Sequence, residues 1–117
     1  MIGNNFSGEG DHTFRAFDPL QQQWLPQEFR EATPGETDAA LTLAAQAFTV
    51  YKKVTPLQRA AFLNAIAEDI IALGDELITV ASTETGLTIA RLQGERDRTT
   101  SQLRLFADTI TEGSWVN

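Results

Sequence analysis

The chain has 117 residues, 42% of them hydrophobic and 21% charged, the length and composition of one ordinary folded domain. A formal net charge of −7 repels phosphate backbones and anionic bilayers, which argues against nucleic-acid and membrane-surface partners. The absence of cysteine removes disulfides, cysteine–zinc sites and thiol nucleophiles, and the single histidine, His12, removes most imidazole chemistry.

Residues 1–12 are rich in glycine and asparagine and read as a loose lead-in. Gly8-Glu9-Gly10 is a fragment of a dinucleotide fingerprint, but no strand is predicted before it and no helix after it. Asn5-Phe6-Ser7 matches a glycosylation sequon by chance composition. No apolar segment precedes Arg15, so no secretory signal is expected and the cytoplasm is the default compartment. Apolar runs stop at four residues, as in Ala60–Leu63 and Ile70–Leu73, too short to span a bilayer.

Thr13–Phe17 alternates weakly, Asp18-Pro19 supplies turn chemistry, and Gln23–Phe29 reads as a return strand that Pro26 confines to a sheet edge. A small hairpin over 13–32 is predicted. Thr33-Pro34-Gly35-Glu36 is a capping box with proline at the first helical position, opening a helix over about 34–51. Its apolar side, from Ala39 to Tyr51, covers an arc of roughly 200° at 100° per residue, wider than a one-sided surface helix needs. This helix therefore either lies between two layers or meets something outside the chain. Lys52 and Lys53 sit where they complement its C-terminal dipole.

Thr55-Pro56-Leu57-Gln58 repeats the signature for a second helix over about 56–73, which carries Phe62, Leu63, Ile66, Ile70 and Leu73. Gly74 breaks it, a third helix follows over about 75–85, and Gly86 is the next stop. A fourth is predicted over about 88–112. Its tail has a regular stripe of Leu103, Phe106, Ala107 and Ile110. Its front half does not: the ten residues Gln93–Gln102 include no apolar one. That stretch is either a solvated, salt-bridged face or frayed loop, or a polar wall toward a cavity or partner. The fold class is thus mainly α with a small N-terminal β-hairpin, and 33–117 reads as a helical segment within a single incomplete domain.

A catalytic set is missing from these residues. The serines at 7, 82, 101 and 114 have only His12 as a conceivable base, and it lies in the lead-in. The carboxylate pairs Glu68/Asp69, Asp75/Glu76 and Glu95/Asp97 read as solvated helix faces. Glu95 can pair with Arg98 three residues on or with Arg91 four residues back, for a few tenths of a kcal/mol at about the usual surface value. Trp24 and Trp115 read as packing residues. No catalytic, cofactor-binding or metal-ligating residue is assigned within the chain.

The order of segments resembles the N-terminal region of the aldehyde dehydrogenase superfamily. Phe17-Asp18-Pro19 is similar to its early turn, and Leu25–Ala32 to its second strand leading to a helix cap. Ala44-Ala45-Gln46-Ala47-Phe48 is similar to the alanine-rich first helix, and Arg59-Ala60-Ala61-Phe62-Leu63 with Ile66-Ala67 and Ile70 to the second. Glu84-Thr85-Gly86 and Leu103-Arg104-Leu105-Phe106-Ala107 resemble two further family stretches in the same order. Leu87-Thr88 departs from the Lys-Pro that usually follows Thr-Gly. With Leu92-Gln93-Gly94-Glu95-Arg96, this resembles the branch of α-ketoglutaric semialdehyde and NADP-dependent aldehyde dehydrogenases.

The resemblance implies the N-terminal part of an α/β fold, about the first quarter of a family member. It implies a parent that oxidises an aldehyde through a cysteine thiohemiacetal, with NAD or NADP taking the hydride and a glutamate base hydrolysing the thioester. The residues for that chemistry lie downstream in the family, so this chain alone is expected to be inactive and to hold no cofactor. The helix matching residues 88–112 borders the substrate tunnel in the family, which makes Gly94, Arg98 and Gln102 tunnel candidates in the parent. Arg98 there suits an aldehyde that carries a carboxylate. The expected partners are the rest of the parent enzyme, or other copies of the chain through apolar helix faces. Trp115 and Val116 read as the start of a further segment, which favours a fragment. The alternative is a stand-alone helical interaction or oligomerisation module.

Overall fold

The computed structural model describes residues 2–3 and 5–114; Trp115 and Val116, read above as the start of a further segment, lie outside them. The chain divides into two compact units, residues 1–53 and 54–117. The first holds strands β1 (Thr13–Asp18) and β2 (Gln23–Arg30) and helix α1 (Pro34–Tyr51). The second holds α2 (Pro56–Ala72), α3 (Gly74–Thr85) and α4 (Ile89–Glu112).

In the first unit β1 and β2 form an antiparallel two-stranded sheet. Asp18 makes the turn: its buried Oδ1 accepts from the amides of Leu20 and Gln21, each at 2.9 Å. Register runs Phe17 to Trp24 near the turn and Phe14 to Phe29 and Arg15 to Glu28 farther along. Between these pairings Leu25, Pro26 and Gln27 stand opposite Ala16 alone. Pro26 has no N–H to give the ladder, so the strand bulges where it sits. Side-chain pairs hold the hairpin on either side of the bulge. Phe14 stacks on Phe29 with ring centroids 5.6 Å apart, and Trp24 meets Phe17 edge-on at 5.1 Å. Arg15 pairs with Glu28 across the strands.

The capping box of α1 forms. Thr33 Oγ1 accepts from the Glu36 amide at 3.2 Å, and Glu36 Oε2 accepts from the Thr33 amide at 2.8 Å. The lead-in is tied to this cap. Glu36 Oε1 accepts from the Ser7 hydroxyl and from the Glu9 amide. Arg30 Nη1 donates to the Gly10 carbonyl at 3.0 Å, and the Glu31 amide donates to the His12 carbonyl at 3.0 Å. Gly10 is buried, and a Cβ there would fall on the Glu31 carbonyl oxygen. The second glycine of Gly8-Glu9-Gly10 thus serves a close backbone approach. At the far end Lys52 is the C-cap residue, and its Nζ lies 5.8 Å from the Phe48 ring centroid.

The buried residue of α1 is Glu36, the acid of its cap. Leu41, Phe48 and Val50 are all more than half exposed. The wide apolar arc of this helix is therefore left exposed over much of its surface.

In the second unit α2 packs along α4, and α3 touches α4. Thr55 caps α2 with a second complete box. Leu73 closes α2, and Gly74 follows with φ +58°, a left-handed conformation that turns the chain into α3. Gly86 ends α3 in the same way. The buried apolar residues are Ala60 and Ala67 of α2, Ile78 of α3 and Ala107 of α4, so α2 and α4 meet through small side chains that let them approach closely. Arg104 Nη2 donates to Glu68 Oε1 at 2.6 Å along the rim of that contact.

Gly10→Ala is expected to loosen the lead-in at a cost of about 1–3 kcal/mol, the usual range for overpacking. Gly35→Ala is the control, since a Cβ there meets only Thr33 Oγ1 at 3.9 Å. Hydrogen exchange should quicken at the Glu31 and Glu9 amides in the first variant and stay unchanged in the second.

Candidate functional site

The polar half of α4 is continuous helix. Its start is fixed from both sides: Ser82 Oγ donates to the Leu87 carbonyl at 2.7 Å, and Thr88 Oγ1 accepts from the Arg91 amide at 3.4 Å. Gln93–Gln102 lacks an apolar face, yet it does not lie free of the unit. Thr100 is 3% exposed, with its hydroxyl donating to the Asp97 carbonyl at 3.2 Å. Arg96 lays its stem inward and donates from Nη1 to the Gly74 carbonyl at 3.3 Å, tying α4 to the α2–α3 bend. Polar residues here do the packing that apolar ones do elsewhere.

Two shallow grooves flank this half of α4. One, of about 340 Å³, is largely apolar and is lined by Ile70, Leu73, Leu77 and Leu92 together with Glu95, Arg96 and Thr99. The other, of about 380 Å³, is lined by Arg98, Thr99, Gln102, Leu103 and Phe106. Arg98, Gln102 and Phe106 follow one another at i, i+4 and i+8, so a single helix face forms its wall. Two of the three tunnel candidates, Arg98 and Gln102, therefore border one groove. Gly94 is one turn earlier and is not among the lining residues; a Cβ on it would meet nothing within 4 Å.

Arg98 is the cation of the groove. Its side chain is 79% exposed, and Nε and Nη2 both donate to Glu95 Oε2, at 3.2 and 2.8 Å. Of the two pairings open to Glu95, the structure makes the one with Arg98. The groove carries one guanidinium among its lining side chains. It holds no nucleophile and no acid–base pair. Among the described residues no three His, Cys, Asp or Glu side chains come together as a metal site, and no helix is long and apolar enough to cross a membrane.

Among the described residues, the strongly shifted acid lies in the first unit. The Ser7 hydroxyl, followed by the Thr33 amide, holds the Glu36 carboxyl down at about 2 against a partial loss of solvent that pushes it up. The Thr33–Glu36 half of this cluster is legible as a capping box. The Ser7 half joins residues 29 apart in sequence and has no local signal. The cluster is structural, because every donor in it belongs to the lead-in or the cap.

The sequence profile described as the aldehyde dehydrogenase family matches residues 6–115. The chain belongs to the aldehyde dehydrogenase family. It is 48% identical over 117 residues to alpha-ketoglutaric semialdehyde dehydrogenase 2 of Azospirillum brasilense, covering 99% of this chain and 22% of that enzyme. It is 49% identical over 87 residues to alpha-ketoglutaric semialdehyde dehydrogenase of Acinetobacter baylyi, covering 74% of this chain and 16% of that enzyme. A succinate-semialdehyde dehydrogenase [NADP(+)] 1 of Mycobacterium tuberculosis is 31% identical over 80 residues, covering 68% of this chain and 18% of that enzyme. The chain thus spans about a fifth of the length of the relatives it matches.

Two measurements check this description. Folding lowers the Glu36 carboxyl from 4.5 to about 2, so its stabilising contribution is complete above pH 4.5 and is lost as pH falls toward 2. Carbon-detected NMR titration should find Glu36 still ionised at pH 3.5, and Ser7→Ala should raise its midpoint. Gly94→Ala puts a better helix former into open space and is expected to stabilise α4 by about 0.5–1 kcal/mol, read as slower amide exchange around residue 94.

Proposed function

We propose that this chain is the N-terminal part of an NAD(P)-dependent aldehyde dehydrogenase that oxidises a carboxylate-bearing semialdehyde of the α-ketoglutaric type to the acid. The observation that carries this reading is the 48% identity spread over 99% of the chain, against an enzyme of which the match occupies 22%. The chain has no cysteine and so lacks the family's nucleophile. It is catalytically silent alone and acts as a structural and substrate-facing part of the longer enzyme.

The described residues do not fit the dinucleotide. Gly8-Glu9-Gly10 opens no helix, and Gly10 is occupied by its approach to the Glu31 carbonyl. NAD or NADP is held by other parts of the enzyme. What this chain supplies toward substrate is the groove on α4, with Arg98 drawing the carboxylate end of the aldehyde and Gln102 beside it on the same face. The exposed apolar side of α1 supports a second element of the reading: it is covered by the remainder of the enzyme.

In the longer enzyme, Arg98→Ala should raise KM about 10-fold or more for an acidic semialdehyde, the cost of one charge-assisted hydrogen bond, and leave a neutral aldehyde of equal length within about twofold. Equal losses on both substrates, or none, would remove Arg98 from substrate recognition. The isolated 117-residue chain should self-associate, with sedimentation showing mass that rises with concentration. A compact monomer at all concentrations would count against a covered α1 face.

A further inference from the structure

Arg98 has two edges with which it can grip a carboxylate. One is formed by Nε and Nη2, the other by Nη1 and Nη2. Glu95 Oε2 occupies the first, accepting from both Nε and Nη2. The second edge is left for a ligand, on a residue that lines the groove. Glu95 does not line that groove; it lines the adjoining apolar groove, and Thr99 borders both. Glu95 grips the Nε–Nη2 edge, holds the guanidinium plane, and offsets its charge. Three residues separate the two on a continuous helix, so the spacing is fixed by the backbone.

We propose that Glu95 is a positioning residue for substrate selection: it orients Arg98 so that the Nη1–Nη2 edge serves the groove, and it tempers the positive charge an anionic aldehyde meets there. This rests on the assignment of Arg98 to the substrate tunnel. A bare arginine would bind every anion that reaches it, product carboxylate included. An arginine half-neutralised by its neighbour and held to one edge favours a ligand that can present a single carboxylate end-on. Arg98 is well exposed, so the charge effect is limited to what an exposed ion pair supplies.

The test is a double-mutant cycle in the longer enzyme with Glu95→Gln, Arg98→Gln and both together. Steady-state kinetics would be measured on a semialdehyde ending in a carboxylate and on its neutral methyl-ended homologue. Glu95→Gln keeps the size and an acceptor oxygen and removes the charge, at a half-buried helix position; circular dichroism checks that the fold is kept. The expected result is a KM for the acidic substrate lowered about 2- to 5-fold, the scale of an exposed ion pair, with kcat and the neutral substrate unchanged. That gain should vanish in the Arg98→Gln background. If Arg98→Gln discriminates between the two aldehydes while Glu95→Gln changes neither, the Glu95 charge has no role in substrate selection, the inference is overturned, and the tunnel assignment stands. The inference is also overturned if Glu95→Gln shifts both aldehydes equally, or if its effect persists without Arg98. If Arg98→Gln itself fails to discriminate, the tunnel assignment falls and this inference with it.

Discussion

Side-chain capping of free helix amides is the interaction on which this structure leans most. Thr33, Thr55 and Thr88 each accept from an amide of the first turn, and Glu36 and Gln58 return the bond to the N-cap amide. A helix start leaves four amides without partners, and each cap of this kind is worth about 1 kcal/mol. In a large domain that would be a modest contribution beside the core. Here the buried apolar set comprises three alanines and one isoleucine among the described residues, so local bonds carry an unusual share. The Glu36 carboxylate extends the principle beyond the helix. The acid that completes the cap also gathers Ser7 and Glu9, and thereby fixes where the lead-in runs.

The scarcity of burial is informative because the composition does not require it. At 42% hydrophobic the sequence has the apolar content of an ordinary globular domain, yet Phe48, Val50, Trp24 and Phe106 are more than half exposed. Polar sequences leave apolar residues unburied because they have few; this one leaves them unburied while having many. Apolar surface of this kind is what protein contacts cover. A family match over nearly all of the chain and about a fifth of its relatives is the arrangement in which so much uncovered surface is expected.

The elements that begin with a strong local signal were legible from sequence. Two Thr-Pro boxes locate the starts of α1 and α2, and Gly74 and Gly86 mark the breaks around α3, because those residue types act on the backbone within four positions. Pro26 was legible as a mark of a sheet edge but not as a bulge of three residues against one, since register depends on the partner strand. The polar run Gln93–Gln102 was ambiguous between a solvated face or frayed loop and a polar wall toward a cavity or partner. Its resolution depends on Arg96 reaching the Gly74 carbonyl and on a threonine hydroxyl bonding its own helix, neither of which leaves a periodic trace. The groove was half legible. Resemblance points to Gly94, Arg98 and Gln102, but only coordinates separate the two that line it from the glycine that does not.

The charge distribution bears on why an arginine at position 98 matters for an anionic substrate. A chain of net charge −7 repels a carboxylate at long range, and that repulsion is screened within about 8 Å at physiological salt. Recognition then depends on what lies inside that distance. Residues 89–104 carry four arginines, Arg91, Arg96, Arg98 and Arg104, against two acids, Glu95 and Asp97. Three of the four are engaged within the unit: Arg104 by Glu68, Arg96 by Gly74, and Arg98 by Glu95. Arg104, and Arg96 through Nη1, join helices, whereas the Arg98 pair stays on its own turn and joins nothing. Arg98 is also the arginine that lines the groove. That placement, rather than charge alone, sets Arg98 apart from Arg96 and Arg104.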